Sequence, residues 1–253
     1  MRLTVLGSNA GAPGRTNPAS GYLVEANGAH VWMDAGPGTL MKLAALTDPG
    51  TLDAVVISHT HVDHCTDLLG LFAYLAYGPG GVVPIDVHAP VGTRDHLAAF
   101  ARAGAGHVFG DVLVFHEHEP GASAVVGPFA ASFGAAVHPV PALVTRLEHD
   151  GTALVYSGDT GPGGDLEDLA ERADILVCEA SIQGARSPDT YPHHLTAFEA
   201  GAVASAAVVG VLVVTHVPAG LDPAVSVAEA RERFDGPVHY ASPDTTFTIP
   251  DTE

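Results

Sequence analysis

Short apolar runs that end in a histidine or an aspartate are the feature that most limits what this chain can fold into. The densest case is SHTHVDHCTDL, Ser58 to Leu68, which sets His59, His61, Asp63 and His64 directly after Val55-Val56-Ile57. A short β-branched run of this kind reads as a buried strand, and strand ends are where an α/β fold presents functional groups on a rigid base. In an extended loop alternate side chains share a face, so His59 and His61 point the same way. Asp63 and His64 then begin the next helix and point elsewhere. One stretch thus offers a histidine pair to one metal ion and an Asp/His pair to a second. Neutral imidazole and carboxylate suit zinc and other first-row ions. A polar surface turn that merely holds three histidines is the competing explanation. Four ligand-type side chains crowded beside a buried strand count against it.

Two partial sets need partners from elsewhere. His138 closes ASFGAAVHP, Asp159 closes ALVYSGDT and His216 closes VLVVTHVP, each after an apolar run. Alone, each would pass for a surface or satisfied core residue; together they repeat one geometry. His138 completes a three-histidine set with His59 and His61. Asp63, His64 and His216 form the other half, and Asp159, with two oxygens, can bridge the two ions.

The remaining pattern is compatible with such a site. Strands are expected at Leu3–Leu6, Tyr22–Glu25, Val31–Asp34, Ala54–Ile57, Ile85–His88, Val112–Phe115, Ala130–His138, Leu143–Leu147, Ala153–Ser157, Ile175–Cys178, Val211–Thr215 and Phe247–Ile249. Helical patterns fall at Thr39–Leu46, Asp67–Tyr77, Arg94–Arg102, Asp165–Ala173, Ala197–Val208 and Ala224–Phe234. Asp150-Gly151 supplies the turn of a hairpin. The mixture is α/β or α+β, with strands in at least two sheets.

The 253 residues are read as one domain, 1–253. Two cysteines, Cys65 and Cys178, imply no disulfide framework, and the N-terminus lacks a signal-peptide core, so a cytoplasmic home is expected. The most apolar stretch, Ala200 to Val214, reads as helix, break and strand, so no membrane partner is expected. Ten Lys and Arg face 29 Asp and Glu, a formal charge of -19, which disfavours nucleic acid as a partner.

These motifs resemble the metallo-β-lactamase superfamily, in its branch of tRNA 3′-processing endonucleases (ribonuclease Z) and related phosphodiesterases. LGSNAGAPGRTNPASGYLVE looks like that branch's opening strand and loop, VWMDAGPGT like its first motif, and SHTHVDH is the family signature. His138, YSGDT and THV follow in the family's order. The resemblance implies a four-layer αββα sandwich of two mixed sheets and a metal-dependent hydrolase. Asp34 would brace the metal loop, and His59, His61, Asp63, His64, His138, Asp159 and His216 would bind two divalent ions. Zinc is the first choice, with manganese or iron open. An aspartate at 159, where many β-lactamases carry cysteine, favours the phosphodiesterase branch. CEAS and HHLTAFEAG match the paired motifs in which a glutamate, here Glu179, orients a proton-donating histidine, here His194. The neighbouring His193 is the rival. Thr196-x-x-Glu199 is a capping box, so a helix should start just after His194, its positive end favouring an anionic substrate.

The branch's tRNA enzymes insert a basic arm between the third histidine motif and the bridging aspartate; here only a hairpin separates His138 from Asp159. With the acidic charge, this points to a small anionic phosphodiester such as a cyclic nucleotide. Asp63 would hold the nucleophile as well as metal. A tRNA endonuclease-like activity, a lactone or thioester hydrolase, and a non-catalytic metal-stabilised scaffold stay open as alternatives, as does a homodimer, common among relatives. His116 and His118 read as an exposed strand end, and His88, His96, His107, His149 and His239 find no partner. The Gly7–Gly21 loop carries no nucleotide fingerprint and reads as a site rim or plain connection, with Arg15 its one cation.

Overall fold

The computed structural model describes residues 1–78, 83–101 and 109–249. Two mixed seven-stranded sheets pack face to face. The first runs in the order β14 (Thr246–Thr248), β1 (Arg2–Gly7), β2 (Gly21–Ala26), β3 (Ala29–Met33), β4 (Ala54–Val56), β5 (Ile85–Pro90) and β6 (Leu113–His118). The second runs β13 (Val238–Tyr240), β12 (Val211–Thr215), β11 (Ile175–Glu179), β10 (Thr152–Tyr156), β9 (Leu143–His149), β8 (Phe129–Ala135) and β7 (Ser123–Val126). Helices α1 (Thr39–Leu46), α2 (Val62–Cys65), α3 (Asp67–Tyr77), α4 (Thr93–Ala101) and α5 (Phe109–Val112) arise from the first half of the chain. Helices α6 (Leu166–Ala170), α7 (Ala197–Ala206) and α8 (Pro223–Arg231) arise from the second. This is the αββα sandwich.

Three apolar layers hold it together, and strand alternation explains them. Val56 faces the layer between the sheets, with Phe133, Leu147 and Leu154, while its neighbour Val55 faces Leu43, Leu68 and Leu97 of the outer helices. In the second sheet Leu154 and Val213 face inward, and Val155 and Val214 pack against Leu166, Ala200 and Ala230. A strand covered on both faces has no polar side, which is why these runs read as continuously apolar. Truncating Leu154, fully buried, to alanine should cost about 2–5 kcal/mol.

Strands β3 to β6 are parallel, as are β10 to β13. Their carboxyl ends meet at one edge of the sandwich. Backbone contacts stitch the two sheets there: His59 bridges Ala142, Leu143 N donates to Ser58 O at 2.9 Å, and Asn9 bridges Val217. That edge carries the site.

Several expected elements end elsewhere. Strand β8 stops at Ala135, so His138 stands in a loop that leaves the sheet; Pro139 and Pro141 lack the N–H a ladder needs. Val112 closes a short helix, and the strand after it starts at Leu113 and runs to His118. The short strands β7 and β13 were not expected. Helix α6 is shorter at both ends than Asp165–Ala173, with Arg172 in the left-handed region at φ 52°, and Val208 at φ 55° lies beyond the end of α7. Helix α8 begins one residue early, with Pro223 in the first turn and Asp222 accepting from Ala224 N, and stops at Arg231. The expected helix end at Arg102, and His107, lie outside the described residues. Among the described residues no helix is long and apolar enough to cross a membrane.

Candidate metal centre

Asp34 organises the site from below. It follows β3 with φ 54°, an outlier for a non-glycine residue, and is completely buried. Its Oδ1 accepts from Ser58 N at 2.7 Å. Its Oδ2 accepts from Ser58 Oγ at 2.7 Å, Tyr156 Oη at 2.7 Å and His64 Nδ1 at 2.6 Å. Burial and the Asp34 charge raise the Tyr156 phenol well above its ordinary value, so it stays a donor. One carboxylate thus ties the SHTHVDH loop of the first sheet to β10 of the second. Gly36 completes the junction: a Cβ there would sit 2.1 Å from Asp63 O, so no other residue fits.

The histidines are aimed by their Nδ1 atoms. Nδ1 of His59 donates to Ser58 Oγ (3.0 Å), that of His64 to Asp34 (2.6 Å), that of His138 to His193 O (3.3 Å) and that of His216 to Ser181 Oγ (2.9 Å). An imidazole that donates from Nδ1 keeps its Nε2 lone pair for a ligand, the arrangement metal-binding histidines use. The freed nitrogens converge. His59 Nε2 and His138 Nε2 lie 3.1 and 3.0 Å from His61 Nδ1, and His64 Nε2 lies 3.3 Å from His216 Nε2. His216, like Asp34, holds a left-handed backbone at φ 54° to reach this position.

Asp159 lies between the two groups. Its Oδ2 is 3.7 Å from His59 Nε2 and its Oδ1 is 3.2 Å from His64 Nε2. Asp63 Oδ2 approaches His216 Nε2 at 3.2 Å and accepts from Gly11 N at 2.6 Å, which places the glycine-rich loop on the site rim. Three overlapping donor sets result, His59/His61/His138/Asp159, Asp63/His64/His216 and Asp159/His194/His216, each with its ligand atoms within 4.8 Å of one another; the first two hold the seven residues selected from the sequence. All seven residues selected from the sequence are brought together.

The donor set fits a pair of cations on three counts. Ring nitrogens brought to 3.0–3.3 Å of one another need a proton or a cation between them. That spacing is close to the edge of a tetrahedron with metal–nitrogen bonds of about 2.0–2.1 Å, roughly 3.3 Å. Asp159 Oδ1 is buried without a hydrogen-bond donor. Finally, Asp34, Asp63, Asp159 and Glu179 are all buried, yet among the described residues no lysine or arginine pairs with them. Two divalent ions would balance these four charges.

Titration directions separate the two sets. Burial lowers His59 well below the ordinary histidine value, lowers His61, and lowers His138 to about 4, so this set is neutral and ready to ligate. Burial also opposes charge on His64, but Asp159 and Asp34 outweigh it and hold His64 well above the ordinary value. Burial works against ionisation of Asp63 and Asp159 too, yet the neighbouring histidines keep both carboxyls below their usual range.

A second pair borders this centre. Strand β11 ends at Glu179, whose Oε1 accepts from His194 Nδ1 at 2.8 Å and from Thr160 N at 2.8 Å, while Oε2 accepts from Ser181 Oγ at 2.7 Å. His194 Nδ1 lies 4.0 Å from Asp159 Oδ2. Burial disfavours the imidazolium, but the hydrogen bond and charge of Glu179 prevail and raise His194 above the ordinary value. His193 instead reaches Val137 O at 3.4 Å, so Glu179 selects His194. The loop is fastened behind them: the capping box of Thr196 and Glu199 is complete, and Arg186 grips both Glu199 oxygens and His194 O. Gly161 lets the Asp159 loop lie against this segment, since a Cβ there would meet Pro192 O at 1.8 Å.

Ser58, Ser181, Tyr156 and Arg186 were not singled out from the sequence. Two of them stood inside the motifs YSGDT and CEAS, and Ser58 opens SHTHVDH. The loop cation Arg15 is exposed. His88 does have a partner, contrary to expectation: its Nδ1 lies 3.0 Å from His118 Nε2, because the parallel pairing of β5 and β6 sets His88 beside His116 and His118 close by. His116 bonds Asp86 at 2.7 Å, and His149 has Asn27 and Pro128 as partners. Cys65 and Cys178 are buried and unpaired as disulfides.

Fold and site together define a metallo-β-lactamase-type protein. Residues 29–217 match the beta-lactamase superfamily domain, and the chain belongs to that family. Among its relatives is the protein ML1173 of Mycobacterium leprae, 36% identical over 98% of this chain and 89% of its own length. The crystal structure of the metallo-β-lactamase fold protein YhfI from Bacillus subtilis superposes with a TM-score of 0.86 at 25% identity, covering 97% of this chain and 98% of that one. The short form of human tRNase Z superposes with a TM-score of 0.79 at 25% identity, covering 99% and 100%.

Proposed function

We propose that this protein is a dinuclear metal-dependent phosphodiesterase acting on a small anionic phosphodiester such as a cyclic nucleotide, with zinc the first choice of metal. The observation that carries the reading is the Glu179–His194 pair, set 4.0 Å from Asp159 at the margin of the seven-ligand cluster. A hydrolase that must expel an alkoxide needs a proton donor there, and His194 is built as one. Its Nδ1 proton is committed to Glu179, which leaves Nε2 to carry the transferable proton. The raised affinity of His194 for a proton favours its loaded form.

Bound divalent ions would supply two things: a lowered pKa for water and positive charge for the non-bridging phosphoryl oxygens. The chain does the rest. Asp63 Oδ2, fixed by Gly11 N, holds and orients the attacking water. Asp159 holds the two donor sets at a constant separation, and Asp34 keeps the loop from relaxing. His194 Nε2 gives its proton to the leaving oxygen. The charge of -19 and the bare hairpin of β9 and β10 between His138 and Asp159 weigh against a tRNA substrate.

The test is a substrate screen on protein of verified metal content, beginning with cyclic nucleotides and bis(p-nitrophenyl) phosphate. Turnover that needs metal and falls in His194→Ala with metal retained supports the reading. Two ions per chain without phosphodiester turnover would end it.

A further inference from the structure

A cavity of about 520 Å³ has His138, one of the seven candidate ligands, in its wall. That volume lies within the range of about 300–1,000 Å³ typical of small-molecule sites. Pro90, Pro139 and Pro141 line it together with small aliphatic side chains, and His118 and Glu119 are its polar groups besides His138. Proline walls have fixed φ and lose little freedom when a ligand packs on them.

Charge decides which end of a substrate can enter. Among the described residues no lysine or arginine lines the cavity. A phosphate there would meet no cation and would face the Glu119 carboxylate. The phosphoryl group therefore belongs with the seven ligands, and the end that occupies the cavity is neutral, with hydrogen-bond donors for Glu119.

His118 adds direction. Its ring lies flat on Phe133, with centroids 4.3 Å and planes 13° apart, and its Nε2 is engaged by His88 Nδ1 at 3.0 Å. Nδ1 is the ring nitrogen left without a partner among the described residues. Burial and His116 lower His118, and burial with His116 and His118 lowers His88 to about 4, so both rings are neutral at pH 7. A neutral pair can place its shared proton on either ring. His118 Nδ1 then presents an N–H in one tautomer and a lone pair in the other. A fixed planar ring that can either donate or accept, beside a carboxylate that accepts, suits the edge of an amino-bearing heterocycle.

We propose that this cavity is the subsite for the purine base of the substrate, stacked among the prolines with its amino edge toward Glu119 and His118. The assignment rests on the phosphodiester reading for where the phosphate lies; base binding itself requires neither metal nor turnover.

The experiment is calorimetric titration of the full chain, zinc-loaded and EDTA-treated, with adenosine and guanosine, and with ribose as control. Saturable binding of a purine nucleoside in both preparations, absent for ribose, is expected. Val140→Trp, which fills the cavity from its loop, should weaken that binding at least about tenfold while zinc content and Tm stay near those of the parent. Glu119→Gln should weaken it several-fold. No saturable nucleoside binding, or binding that Val140→Trp leaves intact, would overturn the proposal. Nucleoside binding without hydrolysis of any phosphodiester would keep the subsite and remove the phosphodiesterase. Hydrolysis without nucleoside binding would do the reverse.

Discussion

Two clusters of histidines, one at the edge where both sheets meet and one on β5 and β6 of the first sheet, do opposite things with the same side chain. Around Asp159, four imidazoles donate from Nδ1 to a fixed oxygen and turn Nε2 toward a common centre. Around His88, the rings stack instead: His116 and His118 lie with planes 22° and 4° from it. His88 and His118 share one nitrogen–nitrogen contact at 3.0 Å, and among the described residues no third ligand atom joins them. The carboxylates differ as well. Asp34, Asp63 and Asp159 are buried, whereas Asp86 beside His116 has half its side chain in solvent. Histidine density is therefore a weak mark of a metal centre. Buried carboxylates with no lysine or arginine to pair with them are the stronger mark, because only a cation repays their desolvation.

The widest separation between the clusters should come from chemistry. His194→Ala should lower kcat on a phosphodiester by about 10²–10⁴-fold with both metals retained. Steady-state kinetics paired with elemental analysis reads this, and unchanged turnover would remove the donor. Next is Ser181→Ala. The Ser181 hydroxyl accepts from His216 Nδ1 and donates to Glu179. Losing such a support should weaken metal binding about 10–100-fold, seen by competition with a chelator.

The legibility of these residues from sequence followed the same divide. Asp159 and His216 could be chosen because the parallel strands β10 and β12 bring the positions just past their carboxyl ends to one edge, whereas His138 follows the antiparallel β8 and was marked only by the apolar run before it. Signatures such as SHTHVDH and the capping box at Thr196 are local, and local chemistry survives without coordinates. The supports are not local. Tyr156 meets Asp34 across 122 residues. The partner of His138 is a backbone carbonyl, which no side-chain pattern announces. His88 meets His118 only through the register of β5 on β6. Strands β7 and β13 are too short to show a period.

A subtler contrast lies in titration. Glu179 raises His194 through a hydrogen bond and its charge, against the cost of burial. Glu179→Gln removes the charge, so the His194 pKa should fall. The protonated donor would then be lost at lower pH, and the alkaline limb of the kcat/KM profile should move to lower pH. A limb that stays in place would mean that another group titrates there. The smallest effect is expected in the outer cluster. His116→Ala removes a solvent-exposed pair with Asp86, worth about 0–1 kcal/mol, and should leave metal content unchanged. A loss of metal in that variant would erase the distinction between the clusters.

The central claim is that seven imidazole and carboxylate groups hold two cations. Anomalous diffraction at the zinc edge from crystals of the zinc-loaded chain tests it directly. Two peaks are predicted, one among His59, His61, His138 and Asp159 and one among Asp63, His64, His216 and Asp159. No peak there, or zinc found only at His88, His116 and His118, would contradict it.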